Sequence, residues 1–242
     1  MSPSKDSIKN YAIILAGGVG KRMGDISLPK QFLEICGIPV IILTIRNIID
    51  SGLFKALYIA IHPDWREYLE QLLRNHGLFD NIKIINGGKE RNDSIENALD
   101  SLKIDGINND DIVVIHDAVR PFITKELLQN AITQTARFGA TVAIFPAKDT
   151  MIISNNGVAL SMPNRDKIYH GQAPDSFKFA LIYNALKSLS DDEKRTITGT
   201  AQICAKKHIK IHTFLGDEKN IKITTIMDLF LAKAILKELY EQ

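Results

Sequence analysis

Two rhythms of apolar and polar residues alternate along this chain. Short apolar runs of strand length are followed by stretches with apolar residues at helical spacing. Ile13-Ile14-Leu15 reads as a buried strand, and Ile38 to Ile49 as a helix laid over a sheet. Ala56 to His62 predicts a second strand, Trp65 to Asn75 an amphipathic helix, and Ile82 to Ile85 a third strand. Asp93 to Leu102 predicts a helix, with Asp93 or Asn92 as its N-cap. Asp111 to Ile115 follows as a fourth strand, Thr124 to Phe138 as a helix and Ala140 to Phe145 as a further strand. This βαβα order predicts an α/β fold: a mostly parallel, doubly wound, Rossmann-like sheet with helices on both faces.

After Pro146 the rhythm breaks. Residues 146–170 hold short strand-like pieces around Asn155-Asn156-Gly157, a strong hairpin signal, and no helix fits there. A protruding β-arm is expected, serving either as a binding or dimerising arm or as a plain surface hairpin. Helices are then expected over Asp175 to Leu189 and Thr198 to Lys207, and a strand over Ile209 to Phe214. A closing helix runs from Thr225 to Glu241, with Asp228 in its first turn, where a carboxylate suits the helix dipole. Residues 1–10 are polar and read as a disordered lead-in; 11–242 read as a single domain.

Composition changes this picture little, but it narrows the partners. The chain has 242 residues, enough for a sizeable core, and a net charge of +2. Nothing in that balance calls for a nucleic-acid partner. Cys36 and Cys204 are far apart and offer neither a disulfide framework nor a metal knuckle, so a reducing cytoplasmic setting is expected. No apolar run approaches the roughly 20 residues of a membrane span, and no signal-peptide core stands at the start.

The chemistry concentrates between Tyr11 and Phe32. Gly17, Gly18 and Gly20 follow the first strand, then Lys21 and Arg22, and Pro29-Lys30-Gln31 closes the stretch. Glycines past a strand let backbone N–H groups approach a ligand, and neighbouring cations suit phosphate. This is not a Walker A loop. Nor is it the dinucleotide fingerprint, because Met23 stands where the third glycine belongs, which disfavours a nucleotide-binding dehydrogenase. Taken alone, the stretch reads equally well as a tight turn with solvated lysines. A second glycine pair, Gly87-Gly88, opens the charged stretch Lys89 to Ser94. His116-Asp117-Ala118-Val119-Arg120-Pro121 ends the fourth strand, where open α/β sheets bind ligands.

Leu-Ala-Gly-Gly-x-Gly-x-Arg-Met followed by Pro-Lys-Gln resembles the nucleotidyltransferases that activate sugars and polyols. It is most similar to the cytidylyltransferases: the methylerythritol-phosphate enzymes and their relatives that make CDP-ribitol for teichoic acid or capsule. The match continues through Gly-Gly-x-x-Arg-x-x-Ser, HDAVRP and NIKIT, most of the chain. The resemblance implies a CTP site formed by Leu15, Ala16, Gly17, Gly18, Gly88, Lys89, Ser94 and Asp117, with Arg91 supporting the base loop. It implies Arg22 and Lys30 as the catalytic cations on the triphosphate, and Lys222 as the cation on the incoming and reacting phosphates. Asp117, Arg120, Thr150, Arg165 and Lys222 would meet a polyol phosphate acceptor. Mg²⁺ is the implied cofactor, with Asp117 and Asn220 as its residues. Thr150 and Arg165, in the arm, would reach into the partner subunit of a homodimer. His116 is expected to position or pack, because an attacking phosphate is already ionised and needs no base.

LPKQFLE, His62-x-Asp64-Trp65, HDAVRPFIT, MPNR followed by Tyr169-x-Gly171-Gln172, and LSDDEK lean toward the D-ribitol 5-phosphate branch. Two departures stand out. The family usually has Thr-Pro-Gln where this chain has Ala173-Pro174-Asp175, and Thr-Asp where it has Thr198-Gly199. They put the acceptor in doubt more than the nucleotide. The competing expectations are a 2-C-methyl-D-erythritol 4-phosphate cytidylyltransferase and a non-catalytic nucleotide-binding homologue.

Overall fold

The computed structural model describes residues 7–18, 28–80 and 82–240. Its frame is a seven-stranded sheet in the order β11-β7-β10-β6-β1-β4-β5. β1 (Asn10–Leu15), β4 (Ala56–Ile61), β5 (Ile82–Asn86) and β6 (Ile112–Asp117) run parallel to one another. β7 (Ala140–Pro146) pairs in parallel with β11 (His212–Leu215). Between β6 and β7 lies β10 (Tyr169–Lys178), antiparallel to both. The expected mostly parallel, doubly wound sheet is therefore present, with one long strand reversed inside it.

Alternation within the strands divides the core in two. Ala12 and Ile14 of β1 face α1 (Val40–Asp50), α2 (Arg66–Asn75) and α4 (Lys125–Phe138). Tyr11 and Ile13 face α3 (Arg91–Ile104), α5 (Phe179–Lys187) and α7 (Thr200–Lys206). A third cluster, including Ile35, Val40, Phe122 and Ile223, lies under α8 (Ile226–Tyr240). Ile13, Ile14 and Ile59 are fully buried. Each such side chain contributes about 1.5–3 kcal/mol, the reason apolar runs on both faces select a sheet covered by helices on both sides.

Several boundaries differ from the expected ones. Ile38-Pro39 forms β3, paired with β2 (Glu34–Ile35), and α1 begins only at Val40. The N-cap of α3 is Glu90, neither Asn92 nor Asp93; Asp93 instead accepts the Glu90 N–H at 3.0 Å. Asp175 to Lys178 is strand and not helix, because its backbone pairs with both β6 and β7; α5 starts at Phe179. A short α6 (Asp191–Thr196) on the Ser190 cap adds a helix that the apolar pattern does not predict. β11 starts at His212 and α7 at Thr200. Residues 7–10 are not a loose lead-in: Lys9 N–H donates to Asp111 at 2.9 Å and Asn10 belongs to β1. Residues 1–6 lie outside the described residues.

The arm is a hairpin, β8 (Ile153–Asn155) and β9 (Val158–Ser161). Asn156 and Gly157 turn it with φ of 47° and 77°, the left-handed pair that an Asn-Gly turn needs. Asp228 receives the Thr224 and Thr225 N–H groups at 2.8 and 2.7 Å, as a carboxylate at a helix start should. Among the described residues, no helix is long and apolar enough to cross a membrane.

Candidate active site

β1 sits where the strand order reverses: the chain leaves it for β4 on one side and later returns to β6 on the other. The carboxyl ends of β1, β5 and β6 deliver Leu15, Gly87 and Asp117 to one edge, the usual place for a ligand in an open α/β sheet. A cavity of ≈ 290 Å³ opens there. Of the expected nucleotide-site residues, it is lined by Leu15, Ala16, Gly17, Gly18, Gly88, Lys89, Ser94 and Asp117, together with Lys30 and Lys222. A second cavity of ≈ 220 Å³ adjoins it and includes Arg120, Gln172, Asp175 and Gly199. Arg91, Asp117 and Lys222 line both cavities and so mark their boundary.

Local contacts shape the first cavity. Buried Gln31 donates to the Ala16 carbonyl at 2.7 Å, tying Pro-Lys-Gln to the end of β1. Behind it, Phe32 packs edge-on against Tyr68 with centroids 4.8 Å apart. Gly88 N–H donates to Ser94 Oγ at 3.0 Å. A Cβ on Gly88 would lie 2.1 Å from the Asp93 Cβ, so only glycine lets the loop close on α3.

At the boundary, Asp117 stands among cations. Its carboxylate meets Lys222 Nζ at 2.9 Å, Arg120 Nε at 3.3 Å and Arg91 Nη2 at 4.0 Å. Burial raises its pKa, but Lys222, Arg120 and Arg91 outweigh burial and hold the carboxyl well below the usual range. Arg120 is itself buried and donates to the Asn220 carbonyl at 2.8 Å, so it braces the loop before α8. His116 is buried, and its Nε2–H donates to the Arg120 carbonyl at 3.0 Å. Burial pushes its pKa down to about 4, so it is neutral near pH 7 and acts as a strut.

Arg91 does more than support the base loop: its Nη1 also donates to Thr200 Oγ1 at 2.8 Å, fastening the start of α3 to the start of α7. That bond leaves no local signal in sequence, since it joins elements far apart in the chain.

The structure does not bring every expected residue together. Arg22 lies outside the described residues. Thr150 and Arg165 are exposed on the arm and line neither cavity; Arg165 donates to the Lys148 carbonyl at 3.3 Å. Asn220 is fully buried; its amide N–H donates to the Ala173 carbonyl at 2.7 Å, and its Oδ1 has no hydrogen-bond partner. Asp117 is already engaged by cations. Among the described residues, no group of three or more His, Cys, Asp or Glu is gathered to hold a metal ion. Among the described residues, the Asp117 carboxylate and the Asn220 Oδ1 do not by themselves complete a divalent-cation site. Both cysteines are free.

The family model for 2-C-methyl-D-erythritol 4-phosphate cytidylyltransferase (IspD) matches residues 10–238. The 4-diphosphocytidyl-2C-methyl-D-erythritol synthase of Anaerococcus prevotii DSM 20548 superposes with a TM-score of 0.79 at 27% identity, covering 95% of this chain and 96% of that one. The 2-C-methyl-D-erythritol 4-phosphate cytidylyltransferase of Francisella tularensis does so with a TM-score of 0.77 at 28% identity, covering 93% and 99%. The enzyme of that name from Thermus thermophilus, at 22% identity and a TM-score of 0.72 over 93% and 98% of the two chains, shows the same fold.

Proposed function

Because the chain belongs to the 2-C-methyl-D-erythritol 4-phosphate cytidylyltransferase (IspD) family and so is a cytidylyltransferase, we propose that it joins CTP to D-ribitol 5-phosphate, releasing pyrophosphate and forming CDP-ribitol for a surface polymer such as teichoic acid or capsule. The observation that carries the reaction type is the pair of adjoining cavities meeting at Arg91, Asp117 and Lys222. The nucleotide occupies the glycine-lined cavity, with its base against Gly88, Lys89 and Ser94. The acceptor lies in the second cavity. An oxygen of its phosphate attacks the α-phosphorus in line, and the bond to the pyrophosphate oxygen breaks. No base is required, since a phosphomonoester with a second pKa of about 6 is largely dianionic at pH 7. Lys30 neutralises the triphosphate, and Lys222 the charge growing at the reacting centre. Asp117 holds Lys222 and Arg120 in place. A hard cation such as Mg²⁺ fits this reading as a passenger on the phosphate oxygens, in keeping with its preference for few protein ligands.

The choice of ribitol rests on the flanking stretches His62-x-Asp64-Trp65, MPNR with Tyr169-x-Gly171-Gln172, and LSDDEK. The names of the solved relatives favour the second reading, methylerythritol phosphate as acceptor. Pyrophosphate release with CTP and each acceptor in turn decides between them. Release with ribitol 5-phosphate alone is expected; release with methylerythritol phosphate alone overturns that choice. Homodimerisation belongs to the same reading: Ile152, Ile153, Val158, Leu160 and Met162 leave the arm with exposed apolar surface that a second copy would cover. The cytoplasm is the compartment proposed.

The glycine loop gives a sharper check on the nucleotide cavity. Gly88→Ala forces the loop away from Asp93 and strains the bond to Ser94. CTP affinity is expected to fall about tenfold, the equivalent of ~1.4 kcal/mol. Calorimetric titration of CTP into both proteins measures it, and an unchanged Kd would remove this loop from the nucleotide site.

A further inference from the structure

The second cavity holds a carboxylate to which the family resemblance assigns no role. Asp175 lies on β10 directly across from Ile115 of β6, so its side chain leaves the sheet on the same face as Ile115 and Asp117. Asp117 is held by Lys222 and Arg120. Asp175 is engaged differently: the Thr200 hydroxyl bonds its carboxylate, and Thr200 in turn accepts from Arg91. A carboxylate has about four acceptor positions, and Asp175 is part of the cavity lining.

Charge then orients an acceptor. The cations shared by both cavities, Lys222 and Arg91, draw a phosphate to the boundary, and Asp175 repels it. The phosphate end therefore faces the nucleotide, and the remainder of the molecule faces Asp175. Gly199, next to the Thr200 that bonds Asp175, lines the same cavity and has open space where a side chain would start. That open space beside the carboxylate leaves room for a hydroxyl-bearing chain. The two departures from the family pattern thus meet in one place: an acid is absent at Gly199 and present at Asp175.

We propose that Asp175 is a specificity-determining residue that accepts hydrogen bonds from acceptor hydroxyls remote from the phosphate, making a hydroxyl-rich phosphomonoester the preferred acceptor. This inference rests on the acceptor cavity of the proposed function. Its physical basis is that a half-buried carboxylate rewards a hydroxyl donor, and an acceptor lacking that donor leaves acceptor positions unfilled.

The test uses Asp175→Asn, which keeps the size of the side chain and removes its charge. Ribitol 5-phosphate and the hydroxyl-free pentyl phosphate are each titrated calorimetrically into wild-type and variant proteins with CMP bound. Pyrophosphate release is followed in parallel. The expected result is a loss of ribitol phosphate affinity of about 10–100-fold, appearing in KM more than in kcat, with CTP affinity unchanged. Pentyl phosphate affinity should stay within about threefold. Equal losses for both phosphates, or none for ribitol phosphate, would overturn the inference. Wild-type protein that binds ribitol phosphate without releasing pyrophosphate would overturn the proposed reaction and leave the binding comparison intact. Wild-type protein that does not bind it at all would overturn both.

Discussion

Replacing Lys222 with alanine is expected to lower kcat/KM for pyrophosphate release by about 10²–10³, the scale seen when one preorganised donor to a developing charge is removed. Lys222 lines both cavities and approaches the carboxylate at their boundary to 2.9 Å, nearer than Arg120 or Arg91. Its side chain is 38% exposed, so the ammonium is held in place and still open to a ligand. Removing it leaves Asp117 paired with Arg120 at 3.3 Å, and the fold should survive with little change in Tm. The loss should fall mainly on kcat, because the charge Lys222 meets is greatest in the transition state. Lys30→Ala is expected to be comparably damaging, since Lys30 lines the glycine cavity beside Gly18. Initial rates across CTP and acceptor concentrations, with thermal melts of each variant, measure both. A Lys222→Ala protein within about threefold of wild type would remove Lys222 from the reacting centre.

Much of this arrangement is legible in the residue pattern, and the limits of legibility have physical causes. The parallel strands β1, β4 and β6 are written in local apolar runs, because a strand covered on both faces needs apolar residues throughout. The hairpin turn at Asn156-Gly157 is equally local, fixed by two left-handed residues. β10 is different. Its residues Asp175 to Lys178 carry a pattern that also suits the start of a helix, and only pairing with β6 and β7 makes them strand. The same holds in the site. Glycines and the HDAVRP stretch mark themselves, but the bond from Arg91 to Thr200 joins residues 109 positions apart. Asn220 shows the other side of this. Its place in NIKIT points to a ligand, and only the fold shows that its amide N–H is committed to the Ala173 carbonyl while its Oδ1 is left without a partner. Motif position locates the loop; only packing shows which way each side chain turns.

Asp117→Asn is expected to cost about 2–4 kcal/mol of stability at pH 7, somewhat under the ~3–5 kcal/mol of a fully buried pair because Lys222 reaches solvent. The substitution leaves Arg120, whose side chain is 10% exposed, and Lys222 without their counter-charge. The pH dependence follows from the direction of the shift. The cations hold the folded-state carboxyl below its unfolded value, so its contribution is present above the unfolded pKa of about 3.9 and lost as pH falls through the folded value. The gap between wild type and Asp117→Asn should therefore narrow on acidification. Asp175 should behave in the opposite sense. Burial pushes its carboxyl up to about 6, so wild-type stability falls as pH rises from the unfolded value towards 6, and Asp175→Asn should stabilise the protein above that point. Two carboxylates on one face of the sheet would then respond to pH with opposite signs, one holding the cations of the boundary and the other kept at a cost to folding. Urea denaturation of the three proteins at pH 2.5, 4, 5.5 and 7.5 measures both effects, the Asp117 change falling below about pH 4 and the Asp175 change between about 4 and 6. A single shared trend would mean that Asp117 and Asp175 titrate as one coupled pair rather than as separate groups.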